Sequence, residues 1–226
     1  MSHPRKTIKH KYFEGYGTGH GAEYKPFLRA REYGSLGTTS HLPNPYIGRV
    51  MELFSQGELE FAYILLWDPS VTDIREQYPL PIEDALAVAR LLKYRYPHNK
   101  ETPMTSDFLV DYQDHHQEVF SVKYSRESVL GHRRALEKLA IEKMYWECVG
   151  VKWSLIFRTE LNHDYVTNIR LCLEYWNPAD VHSEASYVKC LIAHRKIIAD
   201  MESMKIDFNS LGKQYKKEYE KWKTKI

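Results

Sequence analysis

A mixed α/β domain followed by a small helical region is the fold class this chain predicts, on three observations. Between residues 57 and 158, apolar segments of helical period alternate with segments of period two. Two of the period-two segments, about 105–112 and 118–125, are separated by one short polar turn, as in a hairpin. From Asn162 onward every apolar pattern has helical spacing. The map is an N-terminal arm with loops over 1–50, an α/β domain over 51–160 and a helical C-terminal region over 161–226.

Residues 1–50 are rich in Gly, Pro, Tyr and basic side chains, with little periodicity, so they read as an arm that orders on contact with a partner. The run Gly15, Gly17, Gly19 and Gly21 lacks a Gly-Lys-Ser/Thr ending and follows no strand, which leaves a flexible loop rather than a nucleotide loop. Ser55-Gln56-Gly57-Glu58 has capping-box spacing and Asp68-Pro69 closes the segment, predicting a helix over about 57–67. Leu59, Phe61, Ala62, Ile64, Leu65 and Leu66 leave that helix almost no polar face, so it should be buried.

Val71 to Leu80 reads as a strand, and a helix over about 82–94 comes next. Pro97, His98, Asn99 and Pro103 mark a loop before the hairpin strands. A long amphipathic helix over about 130–149 presents Leu136, Leu139, Ala140 and Met144, and a short strand runs over 152–158. Helices are then expected over 162–175, 184–202 and 207–224, ending in a lysine-rich tail that includes Lys213, Lys216, Lys217, Lys221, Lys223 and Lys225.

The balance of 32 basic and 30 acidic side chains, net +2, does not by itself announce a nucleic-acid binder. Cys148, Cys172 and Cys190 are odd in number and widely spaced, against a disulfide framework or a thiolate zinc site and in favour of a reducing cytosol. No apolar run reaches the roughly 20 residues that span a bilayer, and the expectation is a soluble cytoplasmic protein without a membrane partner.

The residues with the most chemistry are Glu58, Asp107 and Lys123. Side chains alternate along a strand, so Asp107, Leu109 and Asp111 share one face, as do Val119, Ser121 and Lys123 on the second strand. With the turn centred on His115, Asp107 faces Lys123 and Leu109 faces Ser121, and the polar pair points away from the aromatic core. Two carboxylates and a lysine suit metal-dependent hydrolysis of a phosphodiester. Glu58, Asp107 and the backbone carbonyl of Val122 would hold Mg²⁺ or Mn²⁺, and Lys123 would orient water or stabilise the transition state. The plainer readings are a helix-capping role for Glu58 and a cross-strand ion pair for Asp107 and Lys123, worth about 0.2–1 kcal/mol. Arg126, His132, Arg133, Arg134 and Lys138 are candidates for phosphate contacts, against a solvated face with an Arg133–Glu137 pair. His115 and His116 read as turn residues, with a cation site beside Asp114 as the lesser alternative.

Several blocks carry a family resemblance. Ser55-Gln56-Gly57-Glu58-Leu59-Glu60-Phe61, Val71-Thr72-Asp73-Ile74-Arg75-Glu76-Gln77-Tyr78-Pro79-Leu80 and Met104-Thr105-Ser106-Asp107-Phe108-Leu109-Val110-Asp111 resemble the TnsA endonuclease subunits of heteromeric Tn-seven-like transposases. Gly15-Tyr16-Gly17-Thr18-Gly19-His20-Gly21 resembles their N-terminal pattern, and the likeness spans about 12–160. It implies a restriction-endonuclease-like catalytic domain with its active site at Glu58, Asp107 and Lys123. It also implies Mg²⁺-dependent nicking of the 5′ ends of a transposon in double-stranded DNA, alongside a TnsB-like transposase and a TnsC-like AAA+ regulator in a bacterial cytoplasm. Ser121 stands where the family pattern has Gln; a Ser hydroxyl can hydrogen-bond a metal-bound water but is a poor direct ligand. The C-terminal region resembles the family's winged-helix domain poorly, and such a compact form would suit the RNA-guided transposons. The alternatives are a restriction or repair nuclease of the same fold, and a non-catalytic assembly subunit.

Overall fold

The computed structural model of the chain describes residues 7–29, 39–97 and 102–224. The basic leader 1–6, residues 30–38, the loop residues His98 and Asn99 and the terminal Lys225 lie outside the described residues. The chain divides into two compact units, Met1–Glu160 and Leu161–Ile226.

The first unit runs α1 (Ile8–Phe13), β1 (Ser40–Asn44), β2 (Arg49–Leu53), α2 (Gln56–Trp67), β3 (Val71–Pro79) and α3 (Ile82–Leu91). It continues with β4 (Thr105–Tyr112), β5 (Gln117–Lys123), α4 (Arg126–Leu130), α5 (Arg133–Cys148) and β6 (Lys152–Phe157). Strands β3 to β6 form one sheet in sequential order, antiparallel across β3/β4 and β4/β5 and parallel across β5/β6. A parallel pair needs a crossover, and α4 and α5 supply it.

Alternation gives each strand two apolar faces. Phe108 and Phe120 pack their rings on Phe61 of α2, with centroids 6.0 and 5.0 Å away. On the opposite parity, Leu109 and Val119 join Ala85, Leu86, Val88 and Ala89 of α3 and Ile141, Tyr145 and Trp146 of α5. A mixed sheet flanked by helices is consistent with the restriction-endonuclease-like fold that the resemblance implies.

Two local expectations need correction. The hairpin pairs Leu109 with Val119 and Asp111 with Gln117, so its turn centres on Asp114, not His115. The shift is two residues, which keeps every side chain on its expected face but makes the Asp107–Lys123 contact diagonal. That face is also not open beyond the hairpin: Ser121 is 1% exposed, with α5 over it. Residues 7–29 and 39–53 hold more order than their weak periodicity suggests. The glycine run is laid against β3, where a Cβ on Gly17 (φ +79°) would come within 2.3 Å of Pro79 Cγ. Gly21 N–H donates to Asp73 (2.9 Å), and the Tyr24 hydroxyl donates to the Glu76 carbonyl (2.9 Å). Long-range packing of this kind leaves no local period to read.

The second unit holds α6 (His163–Leu173), α7 (Glu184–Ala193), α8 (Phe208–Gln214) and α9 (Lys216–Lys223). The helix expected over 184–202 stops at Ala193, because Arg195 turns left-handed (φ +56°) just past the cap. Buried Asn168 secures the connection between α7 and α8, donating to the carbonyls of Met201 (2.9 Å) and Met204 (2.8 Å) and accepting from Ile206 N–H (3.0 Å).

Candidate active site

Glu58 enters the site from the first turn of α2. Ser55 caps that helix by accepting from Glu58 N–H (3.1 Å). The Glu58 side chain folds back, with Oε1 accepting from the Ser55 hydroxyl (2.9 Å) and Oε2 from Phe54 N–H (2.9 Å). The capping and catalytic readings are therefore compatible, because the cap contacts fix the carboxylate. A third donor, Gln77 Nε2 of β3, reaches Oε2 at 3.2 Å.

The helix turn is seated on the end of β5. A Cβ on Gly57 would stand 3.0 Å from Val122 Cγ1 and 3.3 Å from Arg158 Cβ, so the missing side chain permits the approach. Glu60 then takes the Arg158 guanidinium on both oxygens, at 3.0 and 2.9 Å, tying α2 to the segment after β6.

Asp107 and Lys123 meet across β4 and β5. Asp107 Oδ2 accepts from Val122 N–H (2.6 Å) and from Lys123 Nζ (3.2 Å). The same ammonium donates to the Val122 carbonyl at 2.8 Å. Lys123 thus bridges two of the three oxygens expected to bind a metal, so a cation there would share them with its ammonium.

The electrostatics bind these groups into one unit. Burial, and then the charge of Asp107, push the Glu58 carboxyl up to about 7, against the donors at Phe54 and Ser55 and against Lys123. Burial disfavours the Lys123 ammonium, but Asp107, Glu142 and Glu58 outweigh it and hold its pKa above the ordinary lysine value. Glu142 of α5 is itself raised, by burial first and by Asp107 second.

Glu142 and Gln77 are the participants that sequence reasoning missed. Glu142 lies 4% exposed, and its Oε1 accepts the Ser121 hydroxyl at 2.6 Å. A signal was present: Glu142 falls three residues after Leu139 and four before Trp146, a carboxylate on the buried stripe of α5. Ser121 therefore directs its hydroxyl to α5.

Three of the basic candidates have acidic partners. Arg126 pairs with Glu160 (2.9 Å) over the Phe157 ring, while Arg133 (3.0 Å) and Arg134 (2.9 Å) share Glu137. Lys138 is exposed. His115 occupies the hairpin turn at φ +68°, and His116 stacks on Tyr112 and bonds Asp114.

Among the described residues, one trio of metal-capable side chains stands within 4.8 Å: His20, Asp73 and Asp111. Arg75 already lies between its carboxylates, with Nη2 2.6 Å from Asp111 Oδ1 and Nε 3.8 Å from Asp73 Oδ2. The trio therefore has its own cation.

The family described as TnsA-like endonuclease N terminal matches residues 68–158. That stretch contains Asp107, Ser121, Val122, Lys123 and Glu142, and begins after Glu58. The chain is also similar to the transposon Tn7 transposition protein TnsA of Escherichia coli, 35% identical over 164 residues, which is 72% of this chain. It spans 60% of that relative's length.

Proposed function

We propose, from the match of residues 68–158 to the TnsA-like endonuclease N-terminal family, that this protein is the DNA-cleaving subunit of a Tn7-like transposition system. It nicks the 5′ ends of the transposon in double-stranded DNA, with Mg²⁺ (or Mn²⁺) as cofactor, Glu58, Asp107 and Lys123 as catalytic residues, and TnsB-like and TnsC-like proteins as partners. The observation that carries the reading is the coupled set in which Lys123 bridges Asp107 and the Val122 carbonyl beside a Glu58 carboxyl raised to about 7.

The donor set fits a divalent cation. Glu58, Asp107 and the Val122 carbonyl are hard oxygens of the type that binds Mg²⁺, and the upward shift of Glu58 comes from burial first and from the charge of Asp107 second, which Lys123 offsets only in part. Glu58, Asp107 and the Val122 carbonyl would hold the cation, which would supply charge relief at the phosphodiester and a lower pKa for an attacking water. This chain's own groups do the rest. Asp107 is kept in one orientation by Val122 N–H and Lys123. The Lys123 ammonium, kept charged by three carboxylates, faces the charge that grows on the phosphate oxygens. Glu58, buried and held by Phe54 N–H, the Ser55 hydroxyl and Gln77, would offer its carboxylate to the cation in one fixed orientation. Glu142 of α5 supports the set by accepting the hydroxyl of Ser121 on β5, and Ser121 serves as a positioning group. Arg126, Arg133 and Arg134 contact phosphates only by leaving or sharing their present acidic partners, while Lys138 is exposed.

The test is Mg²⁺-dependent cleavage of end-labelled transposon-end duplex, with the TnsB-like and TnsC-like proteins present, for wild type and Asp107→Ala. Nicks confined to the 5′ ends and lost in the variant are the expected result. Cleavage that persists in Asp107→Ala removes this site from the chemistry. Cleavage of unrelated duplex without partners moves the protein to restriction or repair.

A further inference from the structure

The interior of β3 contains a residue whose backbone conformation its side-chain type does not favour. Gln77 has φ +51°, in the left-handed region that non-glycine residues adopt at a cost in strain. It is 4% exposed, so the strain is not spent on a surface turn. The ladder pairs Glu76 with Phe108 and Tyr78 with Ser106, and Gln77 lies between, at the level of Asp107. Glycine or asparagine would meet the backbone requirement at lower cost. The presence of glutamine there points to a use for its long amide.

That amide reaches the candidate active site. Nε2 donates to Glu58 Oε2 at 3.2 Å, and Oε1 accepts from the Thr105 hydroxyl at 3.2 Å, so both ends are held. The flanking residues lock the backbone. Glu76 is fully buried and pairs with Arg49 at 2.7 Å, and the Gln77 carbonyl accepts from Phe27 N–H at 3.3 Å.

We propose that Gln77 is a positioning residue for Glu58: the left-handed turn in β3 aims its amide so that the Glu58 carboxylate presents one fixed orientation to a divalent cation. The inference rests on the reading of Glu58 and Asp107 as metal ligands. It assigns the N-terminal segment a role too, because the Phe27 contact helps to hold Gln77 in place.

The experiment is Mn²⁺ binding to the full chain, monitored by the loss of the free-ion EPR signal, with thermal unfolding recorded on the same samples. Gln77→Met keeps the side-chain length and the backbone strain but removes the amide. Gln77→Gly removes the amide and relieves the strain. Both should raise the Mn²⁺ dissociation constant about 10- to 100-fold, the usual effect of losing a group that orients a ligand. Gln77→Gly should do so with a melting temperature at or above that of wild type, which a purely structural role does not predict. Wild-type Mn²⁺ affinity in folded Gln77→Gly sinks the inference. Glu58→Gln and Asp107→Ala separate the two failures. If they abolish binding while the Gln77 variants do not weaken it, only the positioning role falls. If wild type binds no Mn²⁺, or binds it regardless of Glu58 and Asp107, the metal site falls and this inference with it.

Discussion

Glu58 is 6% exposed and shares the site with Asp107, and its carboxyl rises from the ordinary 4.5 to about 7. The folded protein therefore retains a proton that the unfolded chain has already released. Stability must fall as pH rises from about 4.5 to about 7, and this contribution is flat above that. A shift of this size corresponds to roughly 3 kcal/mol when complete. With chelator present, Glu58→Gln should flatten the dependence across that window and leave the variant more stable than wild type at pH 8. Urea unfolding at a series of pH values measures both, and an unchanged slope in the variant would place the titration on another group. Asp107→Asn makes the complementary prediction: removing the charge beside Glu58 should shift the wild-type slope toward lower pH. Asp107 and Lys123 were legible because strand alternation preserves faces through the two-residue register error. Gln77 was not, because a left-handed residue inside a strand leaves no trace in period or composition.

At the scale of elements, the site depends on how closely α2 can sit on β5. Gly57 is the contact point, with Val122 Cγ1 3.0 Å from where a Cβ would be. Gly57→Ala gains helix propensity and meets one tight contact, so its stability should stay close to wild type. Gly57→Val adds two methyl groups against Val122 and Arg158 and should cost about 1–3 kcal/mol. Glu58 and Val122 both belong to the site, so the same displacement should lower nicking at least tenfold even at temperatures where Gly57→Val is folded. Full activity in the folded valine variant would show that the seating of α2 is not critical. Most strands and helices of the α/β domain were readable from their period, but the short α4, capped by Ser125, was not expected, and the helix expected over about 130–149 begins at Arg133 without a side-chain cap. The hairpin of β1 and β2 and the glycine segment were not, since residues such as Tyr24, Phe27 and Leu53 acquire their order by packing on distant strands. The helix break at Arg195 was hidden for the reason that hid Gln77.

For the whole molecule, charge bookkeeping bears on how DNA reaches the site. The chain carries 32 basic and 30 acidic side chains, and the arginines nearest the hairpin already have carboxylate partners in Glu160 and Glu137. A protein that neutralises Z phosphates shows a salt slope of about −0.9Z in log affinity. With Arg126, Arg133 and Arg134 paired to Glu160 and Glu137, this chain alone should bind duplex weakly at physiological salt, with a slope of about −2 to −3. Weak binding of that kind would fit delivery of the DNA by partner proteins, as the proposed function has it. Glu137→Gln tests the argument, because one substitution removes the shared partner of Arg133 and Arg134. If those arginines face DNA, the variant should bind a labelled duplex more tightly and with a steeper slope, by about one to two charges, in anisotropy titrations between roughly 50 and 200 mM salt. An unchanged slope would mean that this helix end does not meet DNA, and the search for the phosphate contacts would move to the exposed lysines of the second unit.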